Sequence, residues 1–214
     1  MKEQNIAIDM DKLKENAEEK FDTAIEYLEK AEALYEDGRN TEAMKYCNSA
    51  AQLDSAMEDI YNMKGLISYE LYQYDEAIKN YDKALMLQPD FPEVFYNKAL
   101  VYEETGDLER AILNYEEFLK LSPEKALAYL GMGQIYLERE DSIKAEECLS
   151  KAIELEPHNA EAYAYRAMAL WCLGKLAEAL KSANRAIELN SHDSNNRYIK
   201  SRILEEISGD KEGV

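Results

Sequence analysis

Glycine, proline, cysteine, histidine and tryptophan are all scarce in this chain, numbering eight, four, three, two and one among 214 residues. So few turn formers, beside 46% apolar and 32% charged residues rich in Ala, Glu, Leu and Lys, favour helix throughout. The cysteines, Cys47, Cys148 and Cys172, are odd in number and far apart, with no CxxC spacing and no neighbouring histidine. That argues against a disulfide framework or a zinc site and leaves three buried or half-buried free thiols in a reducing compartment. His158 and His192 stand 34 residues apart in the turn sequences "PHNAEA" and "SHDSNN", where solvated turn residues are preferred over metal ligands.

Cations are also short: Lys and Arg total 25 against 44 Asp and Glu, a formal charge of −19. Such a chain repels phosphate backbones and anionic headgroups, so neither nucleic acid nor a membrane surface is expected as a partner. No stretch approaches the roughly 20 apolar residues that span a bilayer. The start, "MKEQNIAIDMDKLKEN", holds no signal-peptide run, and a soluble, cytoplasmic protein is expected. There is no Gly-rich loop, GxSxG, HExxH or Walker pattern, and the acidic pairs have the spacing of solvated helix faces. No catalysis, cofactor or metal is expected. Length alone allows one large domain or two small ones.

What the chain has in plenty is self-similarity. Shifted by 34 residues, "YDEAIKNYDKALMLQP" lands on "LERAILNYEEFLKLSP", and by 68 on "SIKAEECLSKAIELEP". One step back gives "NTEAMKYCNSAAQLDS", and three steps on gives "LAEALKSANRAIELNS". Five units, 24–57, 58–91, 92–125, 126–159 and 160–193, follow one another without insertion or deletion. Their eighth residue is small (Ala31, Gly65, Ala99, Gly133, Ala167) and their twentieth is alanine (Ala43, Ala77, Ala111, Ala145, Ala179). The fourth is aromatic (Tyr27, Tyr61, Phe95, Tyr129, Tyr163), the twenty-seventh is alanine except for Phe118, and Pro89, Pro123 and Pro157 close three units.

Apolar residues recur at three- and four-residue spacing on both sides of a break marked by Gly38, Gly106 or Gly174, so each unit reads as two antiparallel helices. Small residues at positions 8 and 20 let two axes approach, and the ring at position 4 fills the space beside the crossing. Glu42, Asp75, Glu76, Glu109 and Glu178 fall in the first turn of their second helices, where they complement the helix dipole.

This 34-residue pattern resembles the tetratricopeptide repeat family over 170 of the 214 residues. The resemblance implies an all-α fold, a right-handed α-solenoid of antiparallel helix pairs. The chain departs from the pattern at Phe118, at Ser68, and at Tyr72 and Glu140, which stand where the turn glycine is usual. "SNNRYIKSRILEEIS", residues 194–208, repeats the first-helix pattern with Ser201 and Leu204 at positions 8 and 11, and reads as a capping helix. Residues 1–23 are read as a tail and helical extension, with the first helix starting near Asp11; Leu13, Ala17, Phe21, Ala24, Ile25 and Leu28 keep helical spacing. Residues 1–8 and 209–214 are expected as frayed tails.

The family places ligands on the concave face, at positions 2, 5, 6, 9, 12 and 13 of each first helix. Carried over, this implies a peptide groove of Asn62, Leu66, Tyr69, Glu93, Tyr96, Asn97, Leu100, Glu104, Leu130, Gln134, Leu137, Tyr165, Met168 and Trp171. None of the thirty positions so assigned is Lys or Arg, and only Asn97 matches the family's carboxylate clamp, so binding of a chaperone C-terminal tail is not expected. Apolar and aromatic surface rimmed by carboxylates suits a protein or peptide segment carrying Lys or Arg beside apolar residues. The alternative is a self-assembling homo-oligomeric scaffold, the groove covered by the N-terminal helix or a second copy. Trp171 either faces the ligand or packs on the capping helix near Tyr198.

Overall fold

A computed structural model describes the backbone of residues 2–209 and the side chains of residues 16–209. All regular structure among the described residues is α-helical, and the chain divides into two compact units, Met1–Asp107 and Leu108–Val214. The division falls between the two helices of the sequence unit 92–125.

The first unit holds α1 (Lys2–Glu36), α2 (Asn40–Leu53), α3 (Glu58–Glu70), α4 (Tyr74–Leu87) and α5 (Pro92–Glu104). α1 pairs with α2 and α3 with α4; α3 also packs on α2, and α5 on α4. The small positions Ala31, Ala43, Ala50, Ala77, Ala84 and Ala99 have no exposed surface, as close helix approach requires. Larger side chains fill the spaces between pairs: Ile60 and Ile67 are wholly buried, and Tyr81 lies under Gly65, whose absent side chain makes the room. A Cβ on Gly65 would stand 2.3 Å from the Tyr81 ring. Each fully buried Leu- or Ile-sized side chain contributes about 1.5–3 kcal/mol.

The second unit holds α6 (Leu108–Leu121), α7 (Ala126–Glu138), α8 (Ser142–Leu155), α9 (Ala160–Cys172), α10 (Leu176–Leu189) and α11 (Ser194–Gly209). α7 pairs with α8 and α9 with α10, while α6 packs on α7 and α11 on α10 and α9. Phe118 is 5% exposed, so a ring takes the place that alanine has in the other units. Gly131 makes room for the buried Tyr115, and Gly133 for Leu149. Arg166 binds Glu146 (2.8 Å), Ser150 (2.7 Å) and Ser182 (3.3 Å), tying α9 to α8 and α10. Burial alone would raise the Glu146 carboxyl, but the Ser150 hydroxyl and Arg166 hold it below the usual range. α11 buries Asn196, Ile199 and Ile203, while Ser201 and Leu204 face outward.

The first helix of each of the five sequence units ends in the same way. Gly38, Tyr72, Gly106, Glu140 and Gly174 all have positive φ, between 58° and 76°. Each donates its N–H three residues back, and the next residue donates five back, as in Gln73 to Ser68 and Asp141 to Tyr136 at 2.8 Å. This double closure satisfies carbonyls that the helix leaves open. Tyr72 and Glu140 therefore keep the glycine geometry although they carry side chains.

Two expectations are corrected. α1 begins at Lys2, not near Asp11, so residues 2–8 are helical; no Gly or Pro interrupts 2–36 to stop it. Cys172 is exposed, unlike buried Cys47 and half-buried Cys148, because it lies in the last turn of α9 on the open side. Burial pushes the Cys47 thiol up to about 12 and Cys148 to about 11. Met1 and residues 210–214 lie outside the described residues, as does the side chain of Leu13. No helix among the described residues is long and apolar enough to cross a membrane.

A candidate peptide-binding face on the first helices

Within each unit the first helices touch one another: α1 with α3 and α3 with α5, then α7 with α9 and α9 with α11. None of the fourteen residues assigned to the groove is fully buried. Glu93 and Glu104 are exposed, and Asn62, Leu66, Tyr69, Tyr96, Asn97, Leu100, Leu130, Gln134, Leu137, Tyr165, Met168 and Trp171 are half-buried. Four other residues from the thirty positions, Leu28, Met63, Gly131 and Ala164, are buried in helix packing and offer a ligand little surface.

The face is knit sideways by contacts from one first helix to the next. In the first unit Asn97 Nδ2 donates to Asn62 Oδ1 at 3.2 Å, and the Tyr35 hydroxyl is hydrogen-bonded to Glu70. Burial, followed by the negative charge of Glu104, pushes the Tyr69 phenol up to about 12. In the second unit Gln134 Nε2 donates to Glu161 Oε1 at 3.1 Å, and the Trp171 indole N–H donates to Glu206. A rule of position runs through these pairs. The aromatic at position 12 is hydrogen-bonded to the glutamate at position 13 of the following first helix at Tyr35–Glu70 and Trp171–Glu206, and Tyr69 feels the charge of Glu104 at the same place. Both residue types were visible in the sequence, but their pairing across 35 residues was not.

Trp171 is thereby placed. Its ring packs, as does Ile207, against the cluster that includes Ile199 and Ile203, and its N–H bonds Glu206 of α11, so it faces α11; Tyr198 is 61% exposed. Tyr165, Leu130 and Leu137 group together on the cluster around Leu149, while Met168 sits with Trp171.

In the first unit the carboxylates crowd. Burial raises the Glu32 carboxyl, and Asp59, Glu29 and Glu36 raise it further; burial likewise raises Asp59, with Glu58 and Glu93 adding to it. Beside them a cavity of about 470 Å³ is floored by Phe21, Ile25, Leu28 and Met57 and rimmed by Glu29, Glu32, Glu58 and Asp59. The floor is thus apolar and the rim acidic. No group of three or more His, Cys, Asp or Glu suited to a metal occurs among the described residues, and His158 and His192 are exposed.

No curated protein sequence matches the chain. Solved structures do. YrrB, described as a TPR protein with an unusual peptide-binding site, is 20% identical over 83% of this chain and 92% of its own, with a TM-score of 0.71. PilF of Pseudomonas aeruginosa is 16% identical over 88% and 86%, at 0.77. The first TPR of Spaghetti (RPAP3), bound to the HSP90 peptide SRMEEVD, is 23% identical over 55% and 93%, at 0.54. These likenesses show an α-solenoid fold of helix pairs. Sequence models described as TPR repeat match residues 65–106, and as tetratricopeptide repeat 92–125 and 130–194, together more than half of the chain. With the helix pairs and the five repeated turns, they establish that the chain belongs to the tetratricopeptide repeat family.

Proposed function

We propose that this protein is a non-catalytic adaptor that holds a partner segment, carrying Lys or Arg beside apolar side chains, on the concave face of its first helices. The observation that carries the reading is the make-up of the first helices: half-buried Leu66, Tyr69, Tyr96 and Leu100, the carboxyls of Glu32 and Asp59 raised by burial and by neighbouring negative charge, and no Lys or Arg at any assigned position. A cation brought to Glu32 and Asp59 relieves that repulsion, and the rings supply contact area. Two relatives support peptide binding in general: YrrB has a peptide-binding site, and the RPAP3 repeat holds SRMEEVD. That peptide is acidic, and this chain's face, being acidic too, is suited to the opposite charge.

Calorimetry against an amphipathic Lys-containing helix and its Lys-to-Glu counterpart tests the reading. Only the basic peptide should bind, Tyr96→Ala should weaken it about tenfold as a hot-spot ring does, and affinity should fall as salt rises. Equal binding of both peptides, or indifference to salt, defeats the electrostatic half; indifference to Tyr96→Ala defeats the face assignment.

A second reading, a homo-oligomeric scaffold, is favoured by α1. It runs 35 residues where α3, α5, α7 and α9 run 13, and Phe21 on it is 47% exposed. Light scattering at two salt concentrations decides it: a dimer that Phe21→Glu dissociates supports the scaffold, and a monomer at both excludes it.

A further inference from the structure

Two surfaces of this chain complement each other. On α1 the stripe Ala17, Phe21, Ala24 and Leu28 keeps helical spacing, yet Ala24 and Leu28 are buried while Ala17 and Phe21 are exposed, Phe21 by 47%. Phe21 shares the floor of the cavity of about 470 Å³ with Ile25 and Met57. No Lys, Arg or His lines that cavity, and Glu29, Glu32, Glu58 and Asp59 on its rim form no ion pair among the described residues. Their charge is therefore uncompensated, which agrees with the raised carboxyls of Glu32 and Asp59, where burial acts first and like charge adds to it.

The matching surface is on α11. Among the described residues it is the one helix whose cations, Arg197, Lys200 and Arg202, outnumber its carboxylates, Glu205 and Glu206. Glu206 is moreover taken up by the Trp171 indole. The outward side of α11 carries Arg197, Tyr198, Ser201, Arg202 and Leu204, with Tyr198 61% and Leu204 40% exposed. The equivalents of Ser201 and Leu204 on α9 are Ala167 and Leu170, wholly buried in a cluster with Ala179 and Ala183 of α10. The face that α9 gives to a neighbouring helix is thus open on α11, with a small residue at its centre to allow close approach. Arg202 pairs only with Glu205 one turn on, an exposed contact it exchanges at little cost.

We propose that the outward face of α11 in one copy docks on the Phe21 cavity of a second copy. Tyr198 and Leu204 then cover Phe21, Ile25 and Met57, and Arg197 and Arg202 meet the rim carboxylates. Apolar contact supplies the area and opposite charge sets the partner and the register. Such a contact is head-to-tail, so copies join in a ring or an open chain instead of through one patch shared by both. The inference rests on the scaffold reading and names the two surfaces that assembly uses.

Sedimentation velocity of the full chain tests it. At low salt the mass should rise with concentration above that of the monomer, and added salt should reverse the rise. Arg197→Glu with Arg202→Glu, and separately Phe21→Glu, should each weaken association at least about tenfold with helix content unchanged by circular dichroism. Mixed in equal amounts, the two variants should form a dimer and nothing larger, because one sound cavity meets one sound α11. Should Phe21→Glu disturb α1, Glu29→Lys with Glu58→Lys breaks the same surface and carries the same expectation. A mixture that stays monomeric, or an α11 variant that associates like wild type, overturns the proposal. If the cavity variants alone dissociate the assembly, copies meet through α1 symmetrically: the scaffold reading stands and the α11 contact falls. A wild-type chain that is monomeric at every concentration and salt overturns both, and the peptide calorimetry then decides the adaptor reading separately.

Discussion

Glu140→Gly should stabilise this protein although it removes a side chain and adds no contact. Glu140 has φ of 60°, in the left-handed region that costs a residue with a Cβ roughly 1–2 kcal/mol. Its side chain is exposed and makes no hydrogen bond or ion pair among the described residues, so little else is lost. Glycine returns about 0.5–1 kcal/mol to the unfolded chain as entropy, leaving a net gain of about 0.5–1 kcal/mol. At about 2–4 °C per kcal/mol for a chain of this length, Tm should rise by about 1–4 °C. Glu140→Ala keeps the Cβ and should stay near wild type, so the difference between the two variants isolates the backbone. Tyr72→Gly gains the same backbone relief but loses an edge-on ring contact with Tyr74, at 6.3 Å between centroids, and should be close to neutral. Gly106→Ala runs the experiment backwards: nothing lies within 4 Å of the added Cβ, so its loss of about 1 kcal/mol is purely conformational. Urea titrations with unchanged slope give all four values. If Glu140→Gly is no more stable than Glu140→Ala, or Gly106→Ala is harmless, the turns are not strained as argued.

Gly65→Ala should cost about 1–3 kcal/mol in the same assay, because the new Cβ meets the ring of Tyr81, which is 1% exposed and has nowhere to go; Gly65→Ala with Tyr81→Phe should recover little, since the clash is with ring carbons. The Arg166–Glu146 bond should be visible in the pH profile. Glu146 has a depressed folded pKa, so its contribution is complete above the unfolded value near 4.5 and fades as pH falls through the folded one. Wild type and Glu146→Gln should therefore converge in Tm at acid pH and separate above it. Glu32 has the opposite sign: its raised folded pKa means a penalty that appears as pH rises above 4.5, so Glu32→Gln should gain stability at neutral pH and lose that advantage in acid. A pH-independent difference in either variant would show that packing, not charge, is responsible.

The helix pairing was readable because it depends on residue size at fixed spacing, and Ala43, Ala77, Ala111, Ala145 and Ala179 are indeed all wholly buried. The turns were readable only in part. Repeat register puts a turn at Tyr72 and Glu140, but residue type argues against positive φ there, and the double closure of the helix end overrides it. Lateral neighbours were the least legible. That Trp171 finds Glu206, or Asn62 finds Asn97, depends on how one pair of helices lies on the next, which no periodicity within a helix encodes. Asn196 was hidden for a further reason: a polar residue in a helix sequence reads as surface, and only the packing of α11 on α10 buries it.

The pairing of position 12 with position 13 of the following first helix also bears on how such a chain can change length. Tyr35 and Trp171 each hold one half of a hydrogen bond whose other half is supplied 35 residues later, and Tyr69 lies in the field of Glu104 at the same spacing. One residue inserted into a first helix would turn everything beyond it by about 100° and carry the carboxylate away from its ring. A step of 34 residues keeps that phase, and the copy 58–91 carries both halves, Tyr69 for the copy after it and Glu70 for the copy before it. The array thus keeps these lateral contacts only at one step size, and α11 supplies Glu206 as the matching half for Trp171.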